Sequence, residues 1–334
     1  MIWYKEKNGD DIVISTRIRL ARNMKKYPFP NAMTESQMKS AVKEIEDAVS
    51  GGNSTLAKSF KVLHLADMDP KMRGALIEKH LISPDLGERA SVMVSDDECM
   101  SIMLMEEDHI RLQIIKSGFA LDEAWSLADK VDDVIEENIE YAFHKDFGYL
   151  TACPTNTGTG LRASVMMHLP ALTMTNNMAR IISSASNLGI AVRGLYGEGS
   201  DAQGSFYQIS NQITMGMTEE ELIEKLKNIV NQIKEHEEKM RKRLMKENKT
   251  EIEDRVWRSF GTLKYARSIS SKEAKALLSD VIMGKNMGII KGTDANLVEL
   301  MIDTEPHILS FNAKKELSPD ERDVKRAEVL REAL

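Results

Sequence analysis

The sequence of 334 residues has two cysteines, Cys99 and Cys153. That number builds no disulfide framework, and a reducing cytoplasm is the expected compartment. No apolar run approaches membrane-spanning length, and the opening stretch MIWYKEKNGDDIVIS lacks a signal-peptide core, so no membrane association is expected. Positive charge is not in excess: 45 Lys and Arg stand against 52 Asp and Glu, a net charge of −7. This balance argues against direct nucleic-acid binding. There is no Gly-x-x-x-x-Gly-Lys-Ser/Thr loop and no metal-ligand spacing, so a P-loop is excluded and no protein metal ligands are expected. Repeats and low-complexity segments are also missing. What remains, 42% hydrophobic and 29% charged residues, describes a soluble globular chain long enough for two domains. The 21 methionines read as core and interface filler.

Against this background residues 151–166, TACPTNTGTGLRASVM, stand out. Cys153 precedes a proline and offers a soft, potentially anionic sulfur. Gly158 and Gly160 lack a Cβ and would let backbone amides approach an anion. Arg162 supplies a planar fork of donors suited to phosphate. Upstream, Arg17 and Arg19 alternate with Ile18 and Leu20, so an extended segment puts both guanidinium groups on one face. Three short strand-like runs, 91–95, 99–105 and 109–115, predict an antiparallel meander. Between the second and third lies the acidic turn Glu106-Glu107-Asp108, and Arg111 faces away from the apolar side made by Ile110, Leu112 and Ile114. A carboxylate beside an arginine-lined surface can orient a guanidinium and accept its proton.

Cys-Pro-Thr-Asn-x-Gly-Thr-Gly followed by Arg-Ala-Ser-Val resembles the signature of the guanidino (phosphagen) kinases, the family of creatine and arginine kinase. Over its whole length the chain is most similar to the bacterial protein-arginine kinase branch. The resemblance implies an α+β catalytic domain, an antiparallel β-sheet flanked by helices of the glutamine-synthetase-like kind, followed by an all-α C-terminal domain. With the character change after Thr218 it places these at 1–240 and 241–334.

For the site, the resemblance implies ATP contacts from Ser15, Thr16, Arg17, Ile18 and Arg19, from His80 and Arg111, and from Arg162, Ala163, Ser164, Val165 and Met166. The loop Arg193, Gly194, Leu195, Tyr196, Gly197 and Glu198 completes the set. Glu107 and Glu198 become the catalytic carboxylates, and Cys153 a thiolate that steers the guanidinium without bonding to it covalently. ATP would bring Mg²⁺ with it. Met105 and Met166 depart from the metabolite kinases, which usually have Asn and His there. The Ser-Thr-Arg-Ile-Arg segment begins at residue 15, without the helical N-terminal domain that encloses small substrates, which favours an arginine displayed on a protein. Arg322, Asp323, Arg326 and Ala327 match the branch's Arg-Asp-x-x-Arg-Ala motif and imply an allosteric phosphoarginine site. Implied partners are a heat-shock repressor, misfolded proteins, a Clp-type protease, a zinc-binding activator protein and a second copy in a homodimer. The alternatives are a kinase of free arginine or another small guanidino metabolite, and a silent phosphoarginine-binding adaptor.

Overall fold

The computed structural model describes residues 2–6, 10–51, 60–194 and 203–334. Within these, an antiparallel meander runs through β2 (Phe60–His64), β3 (Ser91–Ser95), β4 (Met100–Leu104) and β5 (Ile110–Ser117). Next to β5 lies β1 (Val13–Arg22), then β8 (Leu161–His168), β10 (Phe206–Asn211) and β9 (Ile190–Gly194). A two-residue hairpin, β6 (Phe143–His144) with β7 (Gly148–Tyr149), precedes the cysteine segment. The helices are α1 (Glu35–Ser50), α2 (Pro70–Glu78), α3 (Leu121–Glu136), α4 (Pro170–Met174) and α5 (Met178–Asn187). They continue with α6 (Glu219–Glu247), α7 (Lys249–Tyr265), α8 (Ser271–Asn286), α9 (Leu297–Asp303), α10 (Pro306–Asn312) and α11 (Pro319–Ala333). This is an antiparallel sheet with helices and a helical C-terminal region.

The chain divides into two compact units, one of residues 1–3, 15–164 and 210–227, the other of 4–14, 165–209 and 228–334. This division differs from a single cut near residue 240, a point that α6 crosses without a break.

In the first unit, β1 pairs with β5 so that Ile18 opposes Ile114 and Leu20 opposes Leu112, all fully buried. Because side chains alternate, that register puts Arg17, Arg19, Gln113 and Arg111 together on the opposite face. Helix α1 begins with a complete capping box of Thr34 and Gln37. Periodicity predicts a helix over 121–143, but α3 stops at Glu136. The following residues instead bond to the segment after β1, Ala142 N–H to Asn23 O (2.7 Å) and Lys25 N–H to Glu140 O (2.9 Å).

In the second unit, the buried carboxylate of Glu237 on α6 accepts from the N–H groups of Ala171 (3.0 Å) and Leu172 (2.9 Å), satisfying the first turn of α4. Arg241 pairs with the same carboxylate at 2.8 Å. Nearby His168 is fully buried, stacked on Phe206, with Nε2 bonded to Ser279 Oγ at 2.8 Å. Burial and the Arg241 charge hold its pKa well below the ordinary 6.5, and burial lowers that of His109 in the first unit. The unfolded chain takes up these protons near 6.5, whereas the folded chain resists. Their contribution to stability is therefore present above 6.5 and lost as pH falls below it. The melting temperature is expected to drop between pH 7.5 and 5.5, with a shallower slope in His168→Phe; equal slopes in thermal denaturation would contradict this.

Candidate active site

Four of the predicted arginines converge in the first unit. Arg17 and Arg19 project from β1, Arg111 from β5 diagonally across from Arg19, and Arg162 from β8. Burial, then the charges of Arg111 and Arg162, lower the Arg17 guanidinium to about 10. For Arg19 burial leads, and Arg17, Arg111 and Arg162 add to the depression. Arg17 stays protonated at neutral pH, and the guanidinium groups crowd one another on a half-buried surface. The Nε of Arg19 is buried without a hydrogen-bond partner. An unpaired buried donor among cations is a place for an anion, and a polyphosphate fits it.

The remaining predictions divide by strand face. Ser164 shares the strand side of Arg162, and its hydroxyl donates to Arg17 O at 3.4 Å. Ile18, Ala163 and Val165 are fully buried in the core, and the Thr16 hydroxyl is spent on Gly118 O (2.7 Å) and Ala120 N–H (3.0 Å). The side chains of these four are thus taken up by the protein itself, which leaves their backbone groups for any contact with a nucleotide. Ser15 and Met166 are largely buried. His80 adopts a left-handed φ of 61°. Its carbonyl accepts from Gln113 Nε2 (2.8 Å), which sits across from Arg19, so His80 borders the arginine face. Arg193 and Gly194 end β9 in the second unit, with Arg193 exposed. Leu195, Tyr196, Gly197 and Glu198 lie outside the described residues.

The acidic turn closes β4 onto β5, with Met105 at a φ of 60° and its N–H bonded to His109 O (3.1 Å). Asn tolerates that left-handed conformation better than Met; burial of the Met105 side chain offsets part of the cost. Glu106 pairs with Arg111, while Glu107 stands exposed, free of that pairing and open to a substrate. Sequence reasoning gave Glu106 no role, and its place five residues before Arg111 was the available signal.

Cys153 is half-buried, with its sulfur 3.0 Å from Thr155 Oγ1. The turn at Gly158 and Thr159 does not form an anion nest. Gly158 N–H donates to Tyr149 O (3.2 Å) and Thr159 N–H to Thr214 O (2.8 Å), so these amides are occupied. A Cβ on Gly160 would lie 2.6 Å from both Ala21 O and Arg22 Nη1, at a φ of 63°. Gly160 lets the loop press against β1, which sets the approach to Arg162, and Gly158 lets it press against Thr214. Gly160→Ala is expected to lose roughly 2 kcal/mol of stability or more, from strain plus overpacking. Urea denaturation checks this, and an unchanged midpoint would contradict it.

In the C-terminal motif, Arg326 is 1% exposed. Its Nε donates to Thr304 O (2.9 Å), and its Nη1 donates to Ile269 O (2.8 Å) and to Asp323 Oδ1 (2.5 Å). Arg322 is half-exposed. The i, i+4 pair therefore does not make an open two-arginine clamp, because one fork is turned into the fold. Ala327 is buried beside it.

Among the described residues no group of three or more His, Cys, Asp or Glu could hold a metal, and no helix is long and apolar enough to cross a membrane.

An arginine cradle on an antiparallel sheet, edged by an acidic turn and a cysteine loop, has its counterpart among known families. The profile of the ATP:guanido phosphotransferase C-terminal catalytic domain matches residues 40–240, and the chain belongs to that family. The profile of the protein-arginine kinase McsB C-terminal domain matches residues 249–334. Two similar relatives are protein-arginine kinases: one from Caldanaerobacter subterraneus, 48% identical over 95% of this chain and 95% of its own length, and one from Bacillus subtilis, 47% identical over 99% and 93%. Among solved structures, lombricine kinase superposes with a TM-score of 0.61 at 25% identity, over 69% of this chain and 67% of its own.

Proposed function

We propose that this chain transfers the γ-phosphate of ATP to arginine side chains of proteins. The observation that carries the reading is the cluster of Arg17, Arg19, Arg111 and Arg162, with an unsatisfied buried donor on Arg19, next to the exposed Glu107. Phosphoryl transfer needs positioning and neutralisation of developing negative charge more than covalent chemistry. The arginines, with Arg193, supply both to the polyphosphate, and His80 borders the nucleotide. Mg²⁺ would arrive on the phosphates and neutralise part of their charge.

The acceptor is a guanidinium, protonated and a poor nucleophile. Glu107 holds its N–H groups in line with the γ-phosphorus and takes the proton as the P–N bond forms and the bond to the ADP oxygen breaks. Glu198 is the second carboxylate of this proposal, and Cys153 orients the guanidinium from the facing loop. The products are phosphoarginine and ADP. Substrates would be proteins with accessible arginines, such as a heat-shock repressor or misfolded chains marked for a Clp-type protease in the cytoplasm, with a zinc-binding activator as partner. In the tail, Arg322 and Asp323 would recognise phosphoarginine, while Arg326 holds Asp323 in place.

Protein substrates are favoured over free arginine by the two relatives above, which are protein-arginine kinases and match 95% and 99% of this chain. The test is transfer from Mg-ATP to a basic protein against transfer to free L-arginine. Turnover of the protein with little of the amino acid is expected. Preferential turnover of free arginine would replace this reading with a metabolite kinase.

A further inference from the structure

The mechanism above uses Glu107 and Cys153 but does not explain what fixes one against the other. They stand on separate loops of the first unit, each exposed or half-buried. The residue following Glu107 supplies the link. Asp108 is 3% exposed, and its Oδ1 accepts from Ala152 N–H at 2.7 Å, immediately before Cys153. The same oxygen accepts from Asn23 Nδ2 at 2.6 Å. Asn23, at the end of β1, also donates to Leu150 O (3.0 Å), and its Oδ1 accepts from His109 N–H (2.9 Å). Next to it, Met24 N–H donates to His109 Nδ1 (2.9 Å), and the other ring nitrogen donates to Pro28 O (2.9 Å). The neutral tautomer that burial enforces suits both bonds.

We infer that Asn23 and Asp108 are positioning residues, a buried cross-brace that registers the Glu107 turn and the Cys153 loop against each other and against the arginine-bearing strand β1. Neither touches the reacting atoms. Together these bonds join three segments, with Asn23 and Asp108 85 residues apart and Asp108 and Ala152 44 apart, and a buried carboxylate at the hub. A neutral acceptor in the same place would serve the geometry equally, because both donors converge on one oxygen. The inference rests on the proposed roles of Glu107 and Cys153.

The test combines kinetics with thiol chemistry. In Asp108→Ala, kcat for protein-arginine phosphorylation is expected to fall on the order of 100-fold, as a misplacement of about 1 Å in the reacting groups would cause, with KM for ATP unchanged because the arginine cradle is intact. Asn23→Ala should lower kcat in the same way while leaving the Asp108–Ala152 bond in place, so the idea stays testable if Asp108→Ala folds poorly. Asp108→Asn, which keeps the acceptor oxygen, should restore most of kcat. Alkylation of Cys153 by iodoacetamide, separated from Cys99 by peptide mapping, should speed up in the alanine variants and return in Asp108→Asn. Glu107→Ala and Cys153→Ala run in parallel. If those two keep full activity, the reading of the site fails. If they lose activity while Asp108→Ala and Asn23→Ala keep kcat, or if KM for ATP rises in step with the loss, the brace is overturned.

Discussion

Glu107→Ala is expected to reduce phosphate transfer by roughly 10²- to 10⁴-fold, the range for removal of a positioned general base, while ATP still binds. The argument is the contrast within the turn. Glu106 is held by Arg111 and so belongs to the cradle, whereas Asp108 is buried and holds backbone. Of the three acids only Glu107 is exposed and able to meet an incoming guanidinium. Glu107→Gln keeps the size and the hydrogen-bonding oxygen but removes the basic carboxylate, so it should be nearly as inactive. A measured kcat within tenfold of the parent in both variants would move the base elsewhere, with Glu198 the next to examine.

The largest expected effect on stability lies behind the site. Arg22 is 2% exposed. Its Nε and Nη2 reach Asp132 Oδ2 at 2.9 and 2.7 Å, and its guanidinium lies 3.6 Å from the centre of the Tyr149 ring. The Nη1 donates to Thr159 O at 2.9 Å, which ties the loop before Arg162 to β1. Tyr141 donates its hydroxyl to the other Asp132 oxygen at 2.9 Å. Burial alone would make the Arg22 guanidinium easier to deprotonate; Asp132 reverses this and raises its pKa. Asp132→Ala strands a buried charge and is expected to cost about 3–5 kcal/mol, seen as a drop in melting temperature on the order of 10 °C. The double variant Arg22→Met with Asp132→Leu removes both charges and should lose much less. A drop of only a degree or two in Asp132→Ala would mean that the pair is not what holds the loop.

What was legible in the sequence follows its physics. A strand alternates strictly, so Arg17 and Arg19 on one face and Ile18 and Leu20 on the other could be read directly, and the register with β5 adds Arg111 to the same face. Capping boxes at Thr34 and Thr218 mark helix starts that spacing alone suggests. Helix α2 escaped notice although Asp69 and Pro70 carry its cap and first-turn signals, because it is short and weakly amphipathic. Pairings across the chain were not legible. Nothing local says that Arg22 meets Asp132, or that Asp108 meets Ala152 and Asn23. Glycines posed the opposite difficulty: the Gly-Thr-Gly turn has the composition of an anion nest, but the amides of Gly158 and Thr159 and the space beside both glycines are taken by the protein itself. Likewise the spacing of Arg322 and Arg326 suggests a shared exposed face, and only packing shows that Arg326 turns inward.

The central claim is that the arginine cradle and Glu107 together put a phosphoryl group on an arginine of a protein. The most direct measurement is to incubate the enzyme with Mg-ATP and a basic protein, digest without acid exposure, and locate the added phosphate by mass spectrometry, with Glu107→Ala in parallel. The account predicts phosphate on arginine side chains, lost on brief acid treatment as a P–N bond requires and missing from the Glu107→Ala sample. Phosphate on serine, threonine or tyrosine, or label on arginine that persists undiminished in Glu107→Ala, would contradict it.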